Sequence, residues 1–161
     1  MKADPLFFNL FQQKKTSSEP HLLPDKPPAR CRLLIKTVKV TDAAPVEFMG
    51  KNDLFFELSY GRMKFKSITQ DNIGANATWE LDEKVVDVFL VSELKNLKLE
   101  FKLWDENSTR SNTLIGTSEL VDMSKLLESP DTLKSFPFKV QDGKKKVTGS
   151  VVVTAIVSTV D

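Results

Sequence analysis

Residues 97–103 read Leu97-Lys-Leu-Glu-Phe-Lys-Leu103, so apolar and charged side chains alternate without interruption. Successive side chains of a β-strand point to opposite faces of the sheet, and this period of two is typical of an antiparallel strand with one face in the core. The stretch therefore predicts a sheet that packs on one side and meets water on the other.

Seven further β-rich runs surround this strand and are separated by turn-forming residues. They cover residues 33–40, 54–60, 63–68, 85–91, 114–120, 136–140 and 147–157. Short strands at this spacing are typical of a sandwich, so we predict an all-β, eight-stranded antiparallel β-sandwich. Only residues 123–128 suggest a helical turn, capped by Ser124 or Asp122. The last run is apolar on both faces, which predicts a central position in its sheet.

The chain has 161 residues, the size of one domain with an appendage. Residues 13–30 contain four of its eight prolines, which lack the amide donors that a helix or sheet needs. We therefore predict an N-terminal arm and proline-rich linker over residues 1–31 and a sandwich domain over residues 32–161.

Composition excludes several classes of function. The net charge of +1 predicts no attraction to nucleic acid. Cys31 is the only cysteine, which rules out a disulfide within the chain and favours an intracellular location, cytoplasmic or cytoskeletal, with an organelle left open. His21 is the only histidine and lies in the linker, so no nucleophile–histidine pair can be proposed, and we predict that the protein is not an enzyme.

Four short segments resemble landmarks of the C2 domain family, the calcium- and lipid-binding β-sandwiches. Residues 50–56 resemble its Gly-x-Ser-Asp-Pro-Tyr-Val segment, and residues 76–79 resemble Asn-Pro-x-Trp. Residues 97–105 resemble the strand Leu-x-x-x-Val-x-Asp, and residues 114–116 resemble Ile-Ile-Gly. The resemblance extends over residues 32–158. Because no strand-like run precedes residue 33 and a long one comes last, it implies the permuted (type II) topology.

The resemblance also implies five calcium-ligand positions, which the family fills with aspartates. Here they are Glu47, Asp53, Asp105, Asn107 and Thr113. Loss of anionic oxygens weakens binding of Ca²⁺, so we expect no resident cofactor and at most weak binding of Ca²⁺, no tighter than millimolar. The alternative is that Asp53 and Asp105 only cap turns.

Besides the calcium-ligand positions, the resemblance implies a second binding surface, a basic strand. Arg62, Lys64 and Lys66 alternate with Met63 and Phe65, which predicts three cations on one face, as an anionic lipid or phosphoinositide would require. An ordinary solvated face is the alternative.

The three lysines at 144–146 follow Gly143 and are either a solubilising turn or a contact for lipid or a partner. Trp79 and Trp104 lie beside strand ends and are predicted to be core residues.

The arm contains five large apolar residues within six positions: Leu6, Phe7, Phe8, Leu10 and Phe11. They could dock into another protein, fold back on the sandwich or insert into a bilayer.

The favoured function is a non-enzymatic interaction or structural module, a largely calcium-independent subunit of a larger protein assembly that is anchored partly by this arm. The alternative is a peripheral membrane-binding module for anionic phospholipid or phosphoinositide, with weak dependence on Ca²⁺.

Overall fold

The computed structural model describes residues 29–160 of the chain. The five apolar residues of the arm, Leu6, Phe7, Phe8, Leu10 and Phe11, therefore lie outside the described residues, as does His21.

Nine strands make up most of the described chain. They are β1 (Arg30–Thr41), β2 (Leu54–Tyr60), β3 (Met63–Lys66), β4 (Ala77–Leu90), β5 (Lys98–Asp105), β6 (Thr113–Ser118), β7 (Val121–Asp122), β8 (Lys134–Gln141) and β9 (Val147–Val160). A four-residue helix, α1 (Val91–Leu94), follows β4, and a 3-10 helix (Ser124–Glu128) follows β7.

The strands are joined in the order β3-β2-β5-β6-β8-β9-β1-β4, and every pairing is antiparallel. The first four and the last four form two layers, and among the described residues the strand pairing between the layers consists of two residue pairs of β6 and β8. The final strand, β9, lies between β8 and β1. The all-β fold and the central place of the last strand are therefore confirmed, with the permuted order that the sequence predicted.

Apolar side chains from both layers meet in one core. On β2 the residues at period two, Leu54, Phe56, Leu58 and Tyr60, are all buried. The ring of Phe56 meets that of Trp79 on β4 edge to face, with centroids 5.0 Å apart. Since β2 and β4 belong to different layers, this contact shows the sandwich packing that the alternating sequence predicted.

Several details differ from the sequence prediction, among them the short helix α1, which no sequence pattern predicted. β4 begins at Ala77, well before the predicted start at residue 85. The prediction missed the first half of the strand because residues 82–84 are polar and resemble a turn in sequence. In the structure they form an exposed irregularity inside one long strand. The two-residue β7 is an additional ninth strand, paired with the start of β5. β3 ends at Lys66, two residues early.

The predicted helical turn near residue 123 is present as the 3-10 helix. Neither predicted residue occupies the N-cap position, which is Met123 and makes no side-chain cap, although Oδ1 of the preceding Asp122 accepts the backbone N–H of Ser124 at 2.9 Å.

Candidate functional site

Four connections meet at one end of the sandwich, which we call the loop end. They are the β1–β2 loop (42–53), the β3–β4 loop (67–76), the β5–β6 loop (106–112) and the β8–β9 turn (142–146). Strand register places them together, since Thr41 pairs with Ser150 and Leu54 pairs with Asp105.

Asp105 is the last residue of β5 and occupies an inward-facing position of that strand. The alternation that buries Leu99, Phe101 and Leu103 continues to it, so its carboxyl group is fully buried. Its Oδ1 accepts the backbone N–H of Asp53 at 2.7 Å. Its Oδ2 has no hydrogen-bond partner among the described residues.

Glu47, Asp53 and Asp105 converge at the loop end. One carboxylate oxygen of each lies within 4.8 Å of the other two. Glu47 Oε2 is also buried and without a partner in the described chain. Two buried carboxylate oxygens that lack donors are costly, because each has lost its hydration without replacement. The cluster therefore requires a proton or a cation.

Electrostatics leads to the same conclusion. Burial, together with the facing carboxyl of Glu47, raises the pKa of Asp105 to about 6. A carboxyl group that is buried beside another carboxyl resists ionisation unless a positive charge is supplied. Hard carboxylate oxygens are the donors that Ca²⁺ prefers, so these three residues fit such an ion.

The other two predicted positions do not complete a cage. The side-chain N–H groups of Asn107 donate to the Thr113 hydroxyl at 3.0 Å and to the Ser111 carbonyl at 2.8 Å. The Asn107 Oδ1 accepts from Arg110 at 3.3 Å. These bonds satisfy the two side chains within their own loop, so the structure brings Glu47, Asp53 and Asp105 together and leaves Asn107 and Thr113 as loop-stabilising residues.

Two asparagines that the sequence did not single out hold the β1–β2 loop. Asn52 is buried, and its side chain accepts the Val46 N–H and donates to the Ala44 carbonyl. Asn72 accepts the N–H of Lys51, while its own N–H donates to Asp53. These bonds position the cluster, and nothing local in the sequence distinguished these amides from ordinary turn residues.

The tip of the β1–β2 loop is apolar and exposed. Phe48 is 97% exposed and Met49 79%, and Gly50 follows with a positive φ of 88° that an ordinary side chain would resist. Ile68 on the neighbouring β3–β4 loop is also exposed. Sequence reasoning missed this tip because two apolar residues without periodicity do not reveal whether they are buried.

The predicted basic face is present only in part. Lys64 and Lys66 are exposed on one face of β3, as the period of two required. Arg62 lies in the turn before β3 instead, where it pairs with Glu93 at 3.3 Å and lies over the ring of Phe89. The expectation of three cations on one face is therefore wrong for Arg62, because a partner from α1 holds its guanidinium group.

The two lysines line a shallow groove of about 390 Å³ on the outer face of β2, β3 and β5. Lys102 adds a third cation, whereas Glu57 and Glu100 contribute two carboxylates. Next to it, Phe55 and Trp104 stack with centroids 6.1 Å apart, and Lys66 Nζ lies 4.6 Å from the centre of the Phe55 ring.

The two tryptophans differ in their surroundings. Trp79 is a core residue, as predicted, and its Nε1 donates to the Ile68 carbonyl. Trp104 is only half-buried and lies on the outer face, where its Nε1 donates to Glu57 at 2.7 Å. The prediction of a core position was therefore wrong for Trp104, because it occupies the outward phase of β5.

Comparison with known proteins agrees with this architecture. The profile of the C2 domain family matches residues 31–138, and the chain belongs to that family. The predicted family is thereby confirmed. C2 domains are typically non-catalytic modules that contact membranes or proteins. Among curated proteins, no relative of the chain is found.

Solved structures share the fold at low sequence identity. A C2 domain of plant extended synaptotagmin 1 has a TM-score of 0.64 and 18% identity, over 85% of this chain and 99% of that domain. Human GIVD cytosolic phospholipase A2 has a TM-score of 0.63 and 16% identity, over 86% of this chain but only 17% of the enzyme. A calcium-bound pair of C2 domains from extended synaptotagmin 2 has a TM-score of 0.57 and 18% identity, over 82% of this chain and 46% of that one.

Within residues 29–160, neither helix has the length and apolar character needed to cross a membrane.

Proposed function

We propose that this protein is a non-catalytic module that docks on an anionic membrane surface through its loop end. One observation carries the proposal: the cluster of Glu47, Asp53 and Asp105 lies in the same loop system as the exposed pair Phe48 and Met49. An apolar tip in the same loop system as carboxylates that could hold a cation matches a bilayer, which has an anionic layer over an apolar one.

The acidic cluster supports the expectation of weak Ca²⁺ binding. Glu47, Asp53 and Asp105 would hold the ion, which would neutralise the negative charge of the loop end. Because Asn107 and Thr113 supply no anionic oxygen, we expect millimolar or weaker affinity, measurable by calorimetry. A dissociation constant of a few micromolar that Asp105→Asn abolishes would contradict this expectation.

The apolar tip provides attraction that does not depend on the ion. Moving a Phe or Met side chain from water into hydrocarbon is favourable by about 1.5–3 kcal/mol when burial is complete. Phe48 and Met49 together therefore change vesicle partitioning by about two to four orders of magnitude when both are fully buried. Both side chains are largely exposed, so their insertion into a bilayer would break no core packing within residues 29–160.

Sedimentation of the full chain with vesicles tests the proposal. Vesicles of phosphatidylserine and phosphatidylcholine should recover the protein, and millimolar Ca²⁺ should increase the recovery. Phe48→Ser with Met49→Ser should reduce partitioning about 100-fold. The matched control is Leu120→Ser with Leu133→Ser, which removes two exposed apolar residues from the opposite end of the sandwich.

Two results would overturn the proposal. One is the absence of sedimentation with any anionic vesicle, with or without Ca²⁺. The other is an equal loss of binding in the control pair, which would indicate a general effect of surface hydrophobicity.

The sequence of the arm supports a second candidate, a largely calcium-independent structural subunit of a protein assembly. Five large apolar residues in residues 6–11 need a surface to cover them. Ala29, where the described chain begins, lies at the end of the sandwich opposite the loops, since Arg30 pairs with Leu90 and Val160. A partner held by the arm and a membrane at the loop end are therefore compatible.

A further inference from the structure

The β8–β9 turn, residues 142–146, has a well-defined backbone. The N–H and C=O of Asp142 bond to the Lys146 C=O and the Lys145 N–H, both at 2.9 Å. The carboxylate of Asp142 accepts the N–H groups of Lys144 and Lys146, which lowers its pKa. The one acidic side chain of the turn is therefore used to shape it.

The three lysine side chains of this turn remain exposed. Within residues 29–160 the ion pairs are Arg62–Glu93 and Lys98–Asp122, so Lys144, Lys145 and Lys146 form none there. Even after the charge of Asp142 is counted, the turn carries a net charge of +2. Val147, immediately after the turn, is an exposed apolar residue.

The turn is attached to the loop that carries the apolar tip. The Ala44 N–H donates to the Thr148 carbonyl at 2.8 Å, which links the β1–β2 loop to the first residues of β9. A Cβ added at Gly149 would lie 3.7 Å from the Cα of Ala43, so the two backbones are in close contact. These contacts join the residues that follow the lysine turn to the start of the loop that carries Phe48 and Met49, so both features lie at the loop end.

We infer that Lys144, Lys145 and Lys146 are a calcium-independent electrostatic contact to anionic phospholipid, which holds the loop end on the membrane when no cation is bound. This inference rests on the proposed function and names a second contact for the same docking surface. Long lysine side chains can place their ammonium groups at lipid phosphates while Val147 and the apolar tip lie deeper.

A membrane explains the combination better than a soluble polyanion does. Nucleic acid would complement the lysines but has no apolar layer for Phe48 and Met49, which are exposed on another loop of the same end. A bilayer accommodates both kinds of side chain. The acidic cluster repels an anionic surface in the absence of cations, and the lysine turn offsets that repulsion.

The test compares neutralised lysines at two places, with the full chain and vesicles of phosphatidylserine in phosphatidylcholine. In EGTA and low salt, Lys144→Gln with Lys145→Gln and Lys146→Gln should reduce partitioning about 100-fold, since each cation near an anionic membrane contributes about fivefold. The loss should shrink in 0.5 M salt. The control neutralises three exposed lysines outside the loop end, namely Lys84, Lys95 and Lys125.

Each outcome is decisive. Binding of the triple variant equal to that of the wild type, while loss of Phe48 and Met49 still abolishes binding, would overturn this inference and leave the proposed function intact. An equal loss in the control triple would reduce the effect to net charge and would also overturn it. A wild-type protein that sediments with no vesicle but is retained on a soluble polyanion would overturn both.

Discussion

Asp105 continues the inward-facing positions of β5, yet it carries a carboxyl group where its predecessors carry apolar side chains. Burial beside Glu47 raises its pKa to about 6, from 3.8. The folded protein therefore binds a proton more tightly than the unfolded chain does between about pH 4 and pH 6. The corresponding stability is present below about pH 4 and is lost as the pH rises through about 6.

Asp105→Asn should therefore raise the melting temperature by several degrees at pH 7.5 in EGTA. A pKa shift of this size corresponds to a free energy on the order of 3 kcal/mol. The new amide can still accept the Asp53 N–H and can donate to Glu47. Below about pH 4 the two proteins should melt at similar temperatures. Thermal unfolding followed by circular dichroism across this pH range measures the effect.

Asp142→Asn is the control for that experiment, and its effect has the opposite sign. Backbone N–H groups of Lys146 and Lys144 lower the pKa of Asp142, so its contribution to stability is present above the ordinary pKa of an aspartate. The substitution should lower the melting temperature at pH 7.5, with the difference fading as the pH falls. The same sign of change in both variants would contradict this electrostatic account.

Among the strands, β6 has a special position because it ends one layer and pairs with β8 of the other. Gly116 lies at this crossing. A Cβ added there would lie 2.3 Å from Thr148 Oγ1 and 3.0 Å from the Cβ of Val140. The Leu-Ile-Gly segment thus needs glycine for close packing rather than for an unusual backbone conformation.

Gly116→Ala should lower the free energy of unfolding by about 1–3 kcal/mol, the usual cost of overpacking. Gly143→Ala is the matched control, since nothing lies within 4 Å of its added Cβ. Urea denaturation of the two variants measures the difference. Equal stability of both would mean that β6 and β9 can move apart without cost.

The β3 strand carries two of the three cations of the predicted lipid-binding face, Lys64 and Lys66. Lys64→Glu with Lys66→Glu should lower binding to phosphoinositide vesicles in a salt-sensitive way. The effect should be smaller than that of the apolar tip, because Glu57 and Glu100 line the same groove. Reversal of Lys84 and Lys125 is the control. Binding that both pairs leave unchanged would show that the face is only solvated.

Considered as a whole, the molecule has two ends that differ in the side chains they carry. The loop end carries the acidic cluster, the apolar tip and the lysine turn, whereas the chain enters β1 at the other end. The twelve residues of β1 separate the two ends by about 35–40 Å, at about 3.3 Å per residue. The arm can therefore engage a protein without covering the loops.

Deletion of residues 1–15, or replacement of Phe7, Phe8 and Phe11 by Ser, should leave the melting temperature within a few degrees and preserve vesicle binding. It should release the protein from any complex that it forms in cells, which affinity purification with mass spectrometry can measure. A large fall in melting temperature would mean that the arm packs on its own domain. Retained partner binding would contradict its role as an anchor.

Local patterns were sufficient to predict most of the fold. Alternation in residues 97–103 and at Leu54, Phe56, Leu58 and Tyr60 predicted buried faces, because the period of two is a property of a single strand. β4 was only half recognised, since polar residues 82–84 interrupt its pattern and only pairing with β1 shows that the strand continues. The sequence shows that Arg62 is cationic, but its guanidinium group bonds to Glu93, 31 positions away, and no local pattern predicts that contact.

The family resemblance supplied the five aligned positions at the loop end, and the sequence alone determined which of them carry carboxylates. Only the tertiary structure decided what they do. It brings together Glu47 and Asp105, which are far apart in the chain, and buries one carboxylate oxygen of each without a hydrogen-bond donor among the described residues. It also places Asn107 where its side chain donates a hydrogen bond to Thr113. It also exposes Phe48 and Met49 and ties their loop to the lysine turn. Burial and partnership depend on contacts between distant segments, which no local pattern encodes.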